Sequence, residues 1–390
     1  MSEIKVNSIK GAAASTAAIT VHNTDGTATG KFTNLPGSNL VVNGGMAVAQ
    51  RGTTSTSDGY HTVDRFKTQY GGENEAPTFS QSPLTSSDAG PWEEGHRYSL
   101  EATNGNQTGG AGAGDYIEFT HRIEGQNIAR SGWNYNSTSS KITLSFWVRS
   151  SVAQTFYSYL YTPHGTKQQY PFSLGSLSAN TWTKVTKTIP GHANITINND
   201  STEAFRLAFC PFYGTTYTGS GATVDAWGAY GSGTETMPDN TSTWWTTDNA
   251  TFAITGVQLE VGDTATDFEH KSYTEDLVRC QRYYHNYKGD ASDGIGIPGT
   301  AWGTGSFTFF VQYPVTMRAN PSIEGTGTCR FQSSADSAVF DVSDFTVQNV
   351  PTDFKTMTFN KSGGSGATVH AAGSIQMQSA GSILAFSAEI

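Results

Sequence analysis

Charge is scarce in this chain: Asp, Glu, Lys and Arg together make up only 14% of its 390 residues. Low charge combined with 12% aromatics argues against disorder, which needs the opposite composition. Basic residues are the scarcer sign, 23 against 33 acidic ones, for a net charge of −10. Without a basic stripe there is no footprint for phosphate, so nucleic acid is not an expected partner. No apolar run is long enough to cross a bilayer, and the N-terminus shows no signal-like apolar segment, so membrane insertion is not expected. Only three cysteines are present, Cys210, Cys280 and Cys329, odd in number and far apart. They suit neither a disulfide framework nor a zinc motif, and Cys210 and Cys280 read as small buried residues. Nucleophile elbow, P-loop and His-Glu-x-x-His patterns are missing. Long amphipathic helices are missing too, which argues against most α/β enzymes.

What the chain does hold is turn chemistry and strand chemistry. Gly alone numbers 43, and Ser, Thr and Asn are abundant. Turns consume such residues, while strands favour aromatic and β-branched ones, so the fold class expected is all-β. The length calls for two or three domains. Residues 1–38 are too poor in apolar side chains for a core and need a partner surface, with Leu35 to Ser38 as a linker. Residues 39–270 carry short strands punctuated by turns, the pattern of a jelly-roll-like β-sandwich. Ile142, Leu144, Phe146 and Val148 share one strand face, and Phe205, Leu207 and Phe209 share another. Val185 and Ile189, after Trp182, alternate less cleanly. Polar excursions occupy 82–114 and 213–248. A connecting helix is expected over 271–286 and a smaller β-domain over 287–390, where Phe307, Phe309, Val311 and Tyr313 alternate up to Pro314. Val315, Met317 and Ile323 continue past it. Leu384, Phe386 and Ala388 place an apolar strand at the end, which suggests a terminus tucked into a packed or intersubunit surface.

The stretch Phe252 to Tyr284 is the most specific wording in the chain. Phe252, Ile254, Val257, Leu259 and Val261 form an alternating strand whose phase slips at Thr255-Gly256, as at a bulge. An irregular crossing from Gly262 to His270 follows. Thr274-Glu275-Asp276 then opens a short helix with Leu277, Cys280 and Tyr284 on its apolar face. This strand, crossing and helix resemble a joint of bacteriophage tail fibres and related virion proteins. Asn39 to Gly52, with Asp64-Arg65-Phe66 after it, resembles the opening strand of the same fibre domain, and Ile142 to Arg149 its central strand. The opening "NLVVNG" and closing "GVQLE" are also similar to carbohydrate-binding modules. Ser2 to Lys10 resembles the first segment of marine phage fibre proteins. Many such modules hold an Asp where this chain has Thr255-Gly256, and no metal or cofactor is assigned.

The resemblance implies a tail fibre subunit, homotrimeric and assembled in the host cytoplasm, with residues 1–38 attaching it to other virion proteins. Its function would be recognition of a host-surface polysaccharide. A head fibre or capsid decoration protein is the structural alternative, and a polysaccharide depolymerase the enzymatic one. For the depolymerase, Glu93, Glu94, Glu101, Glu118 and Glu124 would supply the paired carboxylates. They read as solvated acids, and no enzyme activity is expected. Sugar rings present apolar C–H faces that stack on aromatics. Trp227, Tyr230, Trp244, Trp245, Tyr213 and Tyr217, in or beside the 213–248 excursion, are therefore the candidate glycan-binding residues. The competing reading is that these rings pack the loop onto the sandwich. Trp302 and Tyr313 of the C-terminal unit are next in order.

Overall fold

The computed structural model describes residues 8–9, 19–21, 28–30, 39–231, 237–333, 337–349, 351, 353–362 and 367–390. Most of the expected attachment segment 1–38 lies outside the described residues. Of it, Ser8–Ile9, Ile19–Val21 and Ala28–Gly30 pair as a small antiparallel sheet.

Residues 39–261 form a sandwich of two six-stranded sheets. The first sheet runs, edge to edge, Gly228–Ala229, Gln168–Leu177, Gln154–Thr162, Glu203–Tyr213, Tyr116–Glu124 and Phe66–Gly71. The second runs Thr183–Pro190, Lys141–Ser150, Thr251–Val261, Tyr98–Thr103, Thr78–Pro83 and Thr54–Ser55. Every strand pair in the two sheets is antiparallel. The period-two residues fill the space between them. Ile142, Leu144, Phe146 and Val148 face Phe205, Leu207 and Phe209, all buried, and the Phe146 and Phe209 rings meet edge to face at 4.9 Å. Burying each such side chain contributes about 1.5–3 kcal/mol relative to exposure. The expected polar excursion 82–114 contains a strand, Tyr98–Thr103, which is a correction. Only Leu100 and Ala102 mark its inner face, too sparse a pattern to stand out.

The phase slip is a bulge between Thr255 and Gln258. Gly256 sits there at φ +62°, and a Cβ at this position would lie 2.6 Å from the Nε2 of buried His96. Left-handed backbone and a ring against the α-carbon both call for glycine. Thr255 donates its hydroxyl to the Tyr98 carbonyl at 2.7 Å.

The helix is Tyr273–Gln281, shorter than the expected 271–286, and its cap is Ser272 rather than Thr274. Ser272 and Glu275 make a reciprocal capping box that satisfies two otherwise orphaned N–H groups. Tyr284 belongs not to the helix face but to the next strand, Tyr284–Gly289. Cys280 packs with Val42, Val48 and Leu277.

The C-terminal unit pairs a seven-stranded sheet with a three-stranded one. Its core includes Phe307, Phe309, Phe331, Phe359, Leu384 and Phe386. Past Pro314 the chain leaves the sheet, although Met317 stays buried. The chain end tucks against the sandwich of its own chain. Arg65 and Arg51 pair with Glu389, while Tyr60 and Arg122 donate to the Ile390 carbonyl at 2.9 and 3.0 Å.

The two stretches that carry the fibre-like wording, 39–66 and 252–284, are packed on each other. The Arg65 guanidinium lies 3.4 Å over the Tyr283 ring and Arg51 lies 3.5 Å over Tyr284. Asn39 accepts from Leu259 N and donates through its own N–H to Glu269. Beside them Glu124, 0% exposed, receives Arg282 through two bonds of 2.7 and 2.8 Å and the Tyr283 hydroxyl at 2.6 Å. Burial pushes the Glu124 carboxyl up, but the bonds from Arg282 and Tyr283 outweigh it and hold the pKa below the usual range. Arg318 extends the joint by donating to the Ser201 carbonyl of the sandwich and to the Ala388 and Glu389 carbonyls.

Candidate functional site

Strand Gln154–Thr162 turns Phe156 and Leu160 into the core, so Tyr157, Tyr159 and Tyr161 project from the outer face of the first sheet. The neighbouring strands add Tyr213, Cys210, Ala208, Tyr116 and Glu118 to the same face. Glu118 sits among the rings. Its carboxylate accepts the Tyr213 hydroxyl at 2.6 Å and the Tyr159 hydroxyl at 3.2 Å, and the two hydroxyls are 3.2 Å apart. Burial first, and the Glu118 charge second, push both phenols well above their ordinary pKa, so they remain neutral donors.

Around this fixed centre Tyr116 and Tyr217 are half-buried and Tyr230 is exposed, while Tyr161 is buried. Tyr116 and Tyr217 meet at 5.5 Å, and Tyr217 also leans on Tyr213 at 5.4 Å. Tyr161 carries the Arg206 guanidinium 5.0 Å over its ring, with Arg206 itself held by Glu203. Tyr230 crosses Tyr161 edge to face at 4.9 Å and is 37% exposed. Its backbone N–H donates to the Lys167 carbonyl, and the preceding Gly228–Ala229 pairs with Gln168 and Gln169 at the sheet edge. Met237, fully buried, covers part of the cluster. The result is a face of phenol rings and amides with the Arg206 and Arg122 guanidiniums at one side, most of it mounted on strands and flanked by Tyr217 and Tyr230 from adjoining loops. Such a face offers apolar ring surfaces and neutral hydrogen-bonding groups side by side.

Of the residues named from sequence, Tyr217, Tyr230 and Tyr213 come together on this face. Tyr213 is nearly buried and acts through its hydroxyl rather than its ring. Trp244 and Trp245 are corrections: they are 0% and 1% exposed and have no ring face open to a ligand. Trp244 donates its indole N–H to the Thr251 carbonyl, while Trp245 stacks on Phe212 at 5.1 Å and donates to the Gly110 carbonyl. Trp227 is half-buried against Tyr170 and Phe205, its indole N–H on the Pro190 carbonyl, and packs the end of the sandwich. Sequence reasoning missed Tyr116, Tyr157, Tyr159 and Tyr161. The Tyr-x-Tyr-x-Tyr spacing in the strand was the signal available.

The acids weighed for glycoside cleavage are dispersed. Glu94 binds Lys184 and the Trp147 indole, and Glu101 binds Arg149, on the outer face of the second sheet. Glu118 is on the opposite sheet, Glu124 is in the joint, and Glu93 accepts from Gly90 N in a loop. Among the described residues no three His, Cys, Asp or Glu side chains are grouped for a metal ion.

No family model and no curated protein matches this sequence. Among solved structures the chain is similar to the enzymatically active domain of tailspike protein 4 from bacteriophage CBA120, at 10% identity and a TM-score of 0.30. That likeness covers 58% of this chain and 22% of the tailspike chain, so the chain spans about a fifth of that protein's length. It is also similar to a family 16 carbohydrate-binding module, at 8% identity and a TM-score of 0.24 over 46% of this chain and 84% of that one. The N-terminal cellulose-binding domain of β-1,4-glucanase C from Cellulomonas fimi is similar at 11% identity and a TM-score of 0.26, over 56% and 99% of the two chains.

Proposed function

We propose that this protein is a virion fibre subunit that binds host-surface glycan and does not cleave it. The observation that carries the glycan reading is the outer face of the first sheet, where tyrosine rings surround a fixed carboxylate. Tyr217 and Tyr230 are the rings for stacking on the C–H face of a sugar, with the Arg206 guanidinium, over the Tyr161 ring that Tyr230 crosses, as the polar group to meet its hydroxyls. Sites of this kind mix apolar area with a few placed polar groups. The virion reading is supported by the resemblance of segments 39–66 and 252–284 to fibre proteins. Homotrimeric assembly and attachment through residues 1–38 belong to the same proposal. Each contact would be modest, and firm attachment would come from several copies acting together.

The test is adsorption. A Tyr217→Ala, Tyr230→Ala double variant should lose binding to host cells by roughly tenfold, a little over 1 kcal/mol, while keeping its melting temperature and mass in solution. Undiminished adsorption by a folded double variant removes the sheet face from recognition. Release of reducing sugar from host polysaccharide would replace binding with cleavage. Labelling of intact particles decides the virion assignment separately.

A further inference from the structure

All eight tryptophans are described, and seven are buried or half-buried. Trp302 is 61% exposed. It stands near the end of strand Gly294–Gly303, where pairing with strand Ser306–Gln312 shifts register between Ala301 and Gly303. Ala301, opposite buried Phe307, faces inward, so alternation turns Trp302 to the outer face. His370 stands at the ring, centroids 6.4 Å apart and nearly perpendicular.

Beside the ring runs a groove of about 420 Å³, lined by Trp302, Thr308, Gln348, Asn360, Lys361 and Ser362 among others. The lining is chemically mixed in a specific way. Thr308 donates to the Asn360 side-chain carbonyl at 2.6 Å, which fixes the amide and turns its NH2 to use as a donor. Lys361 is held by Asp344 at 3.1 Å and by the Ser362 carbonyl at 2.7 Å, so its charge is already neutralised within the fold. An anionic ligand is therefore poorly served. A flat apolar ring bordered by amides and hydroxyls matches a neutral sugar, whose C–H face covers the indole while its hydroxyls reach Asn360 and Gln348. The volume lies near the lower end of the range for small-ligand sites, about 300–1,000 Å³. That suits a mono- or disaccharide unit rather than a long polymer track.

We propose that the Trp302 groove is a second glycan site, specific for a neutral sugar and independent of the tyrosine face. Full-length protein would be titrated calorimetrically with lactose, maltose and cellobiose in turn. At least one should bind saturably. Trp302→Ala should weaken that binding by about tenfold, Trp302→Phe should retain most of it, and Asn360→Ala should weaken it several-fold. Trp302 is exposed, so the fold should survive, as a melting curve will verify. The inference is overturned if none of the three sugars binds, or if Trp302→Ala leaves binding unchanged. It is also overturned if Trp302→Ala alters sedimentation, because the ring is then a contact between subunits. The Tyr217→Ala, Tyr230→Ala variant run in parallel separates the two sites. Binding lost there and kept in Trp302→Ala belongs to the sheet face. The reverse pattern assigns that sugar to the groove and leaves the face to the adsorption test.

Discussion

Replacing Glu124 with alanine should uncouple the two β-units. The carboxylate is fully buried and accepts two bonds from Arg282, one from the Tyr283 hydroxyl and one from Gln126. Removing one partner of a buried ion pair costs about 3–5 kcal/mol, most of it from the charge left behind. Here the Arg282 side chain is 28% exposed and can recruit water, so the lower end applies, about 3 kcal/mol. The Tyr283 hydroxyl, with its ring already under Arg65, has no such relief. For a unit of this size, about 3 kcal/mol corresponds to a fall in melting temperature of roughly 6–12 °C. Scanning calorimetry should show an early transition separating from the main endotherm. Hydrogen exchange should quicken along Tyr284–Gly289 and around Arg318, because these are the segments the joint immobilises. Lys187→Ala is the control. Its partner Asp225 is half exposed, and losing that pair should cost about 0–1 kcal/mol. If Glu124→Ala behaves like Lys187→Ala, with one unshifted transition and unchanged exchange, the joint does not couple the units and the reasoning fails.

Gly256→Ala should destabilise the sandwich. Placing a side chain at φ +62° costs roughly 1–2 kcal/mol, and the added methyl must also displace the His96 ring. Urea unfolding checks this, and a midpoint equal to wild type would refute it. Acid should weaken the fold through His96 itself. Burial, reinforced by the neighbouring His270, lowers its pKa from 6.5 to about 4. A folded value below the unfolded one means that the unfolded chain takes up the proton first. His96 therefore imposes no penalty above pH 6.5, and the loss grows as pH falls toward about 4, reaching roughly 3 kcal/mol. Chemical denaturation at pH 7 and pH 4.5 measures the slope, which His96→Phe should flatten. An equal slope in that variant would assign the acid sensitivity to other groups.

How far the sequence discloses this protein depends on whether a residue's environment is set by its neighbours in the chain or by distant ones. Period-two runs such as Ile142 to Val148 and Phe307 to Tyr313 identify strands because a pleated backbone alone decides which side chains share a face. The slip at Gly256 is legible for the same reason. Strand Gln154–Thr162 defeats that logic. Its inner face is Phe156 and Leu160 and its outer face is tyrosine, itself largely buried, so apolar character does not alternate and the two faces cannot be told apart. Trp244 and Trp245 fail in the opposite direction. Their flanks are Thr, Ser, Asp and Asn, which imply a solvated loop, yet their partners are Thr251, Phe212, Asn104 and Gly110. Two of these lie more than a hundred residues away in sequence. Indole carries a large apolar area with one N–H to satisfy, so a polar loop buries it wherever the fold supplies a carbonyl. Exposure of an aromatic ring is thus the informative observation and its mere presence in a loop is not. By that standard Trp302, Tyr230 and Tyr217 are the rings on which the two proposed glycan sites rest, and the paired tryptophans belong to the scaffold.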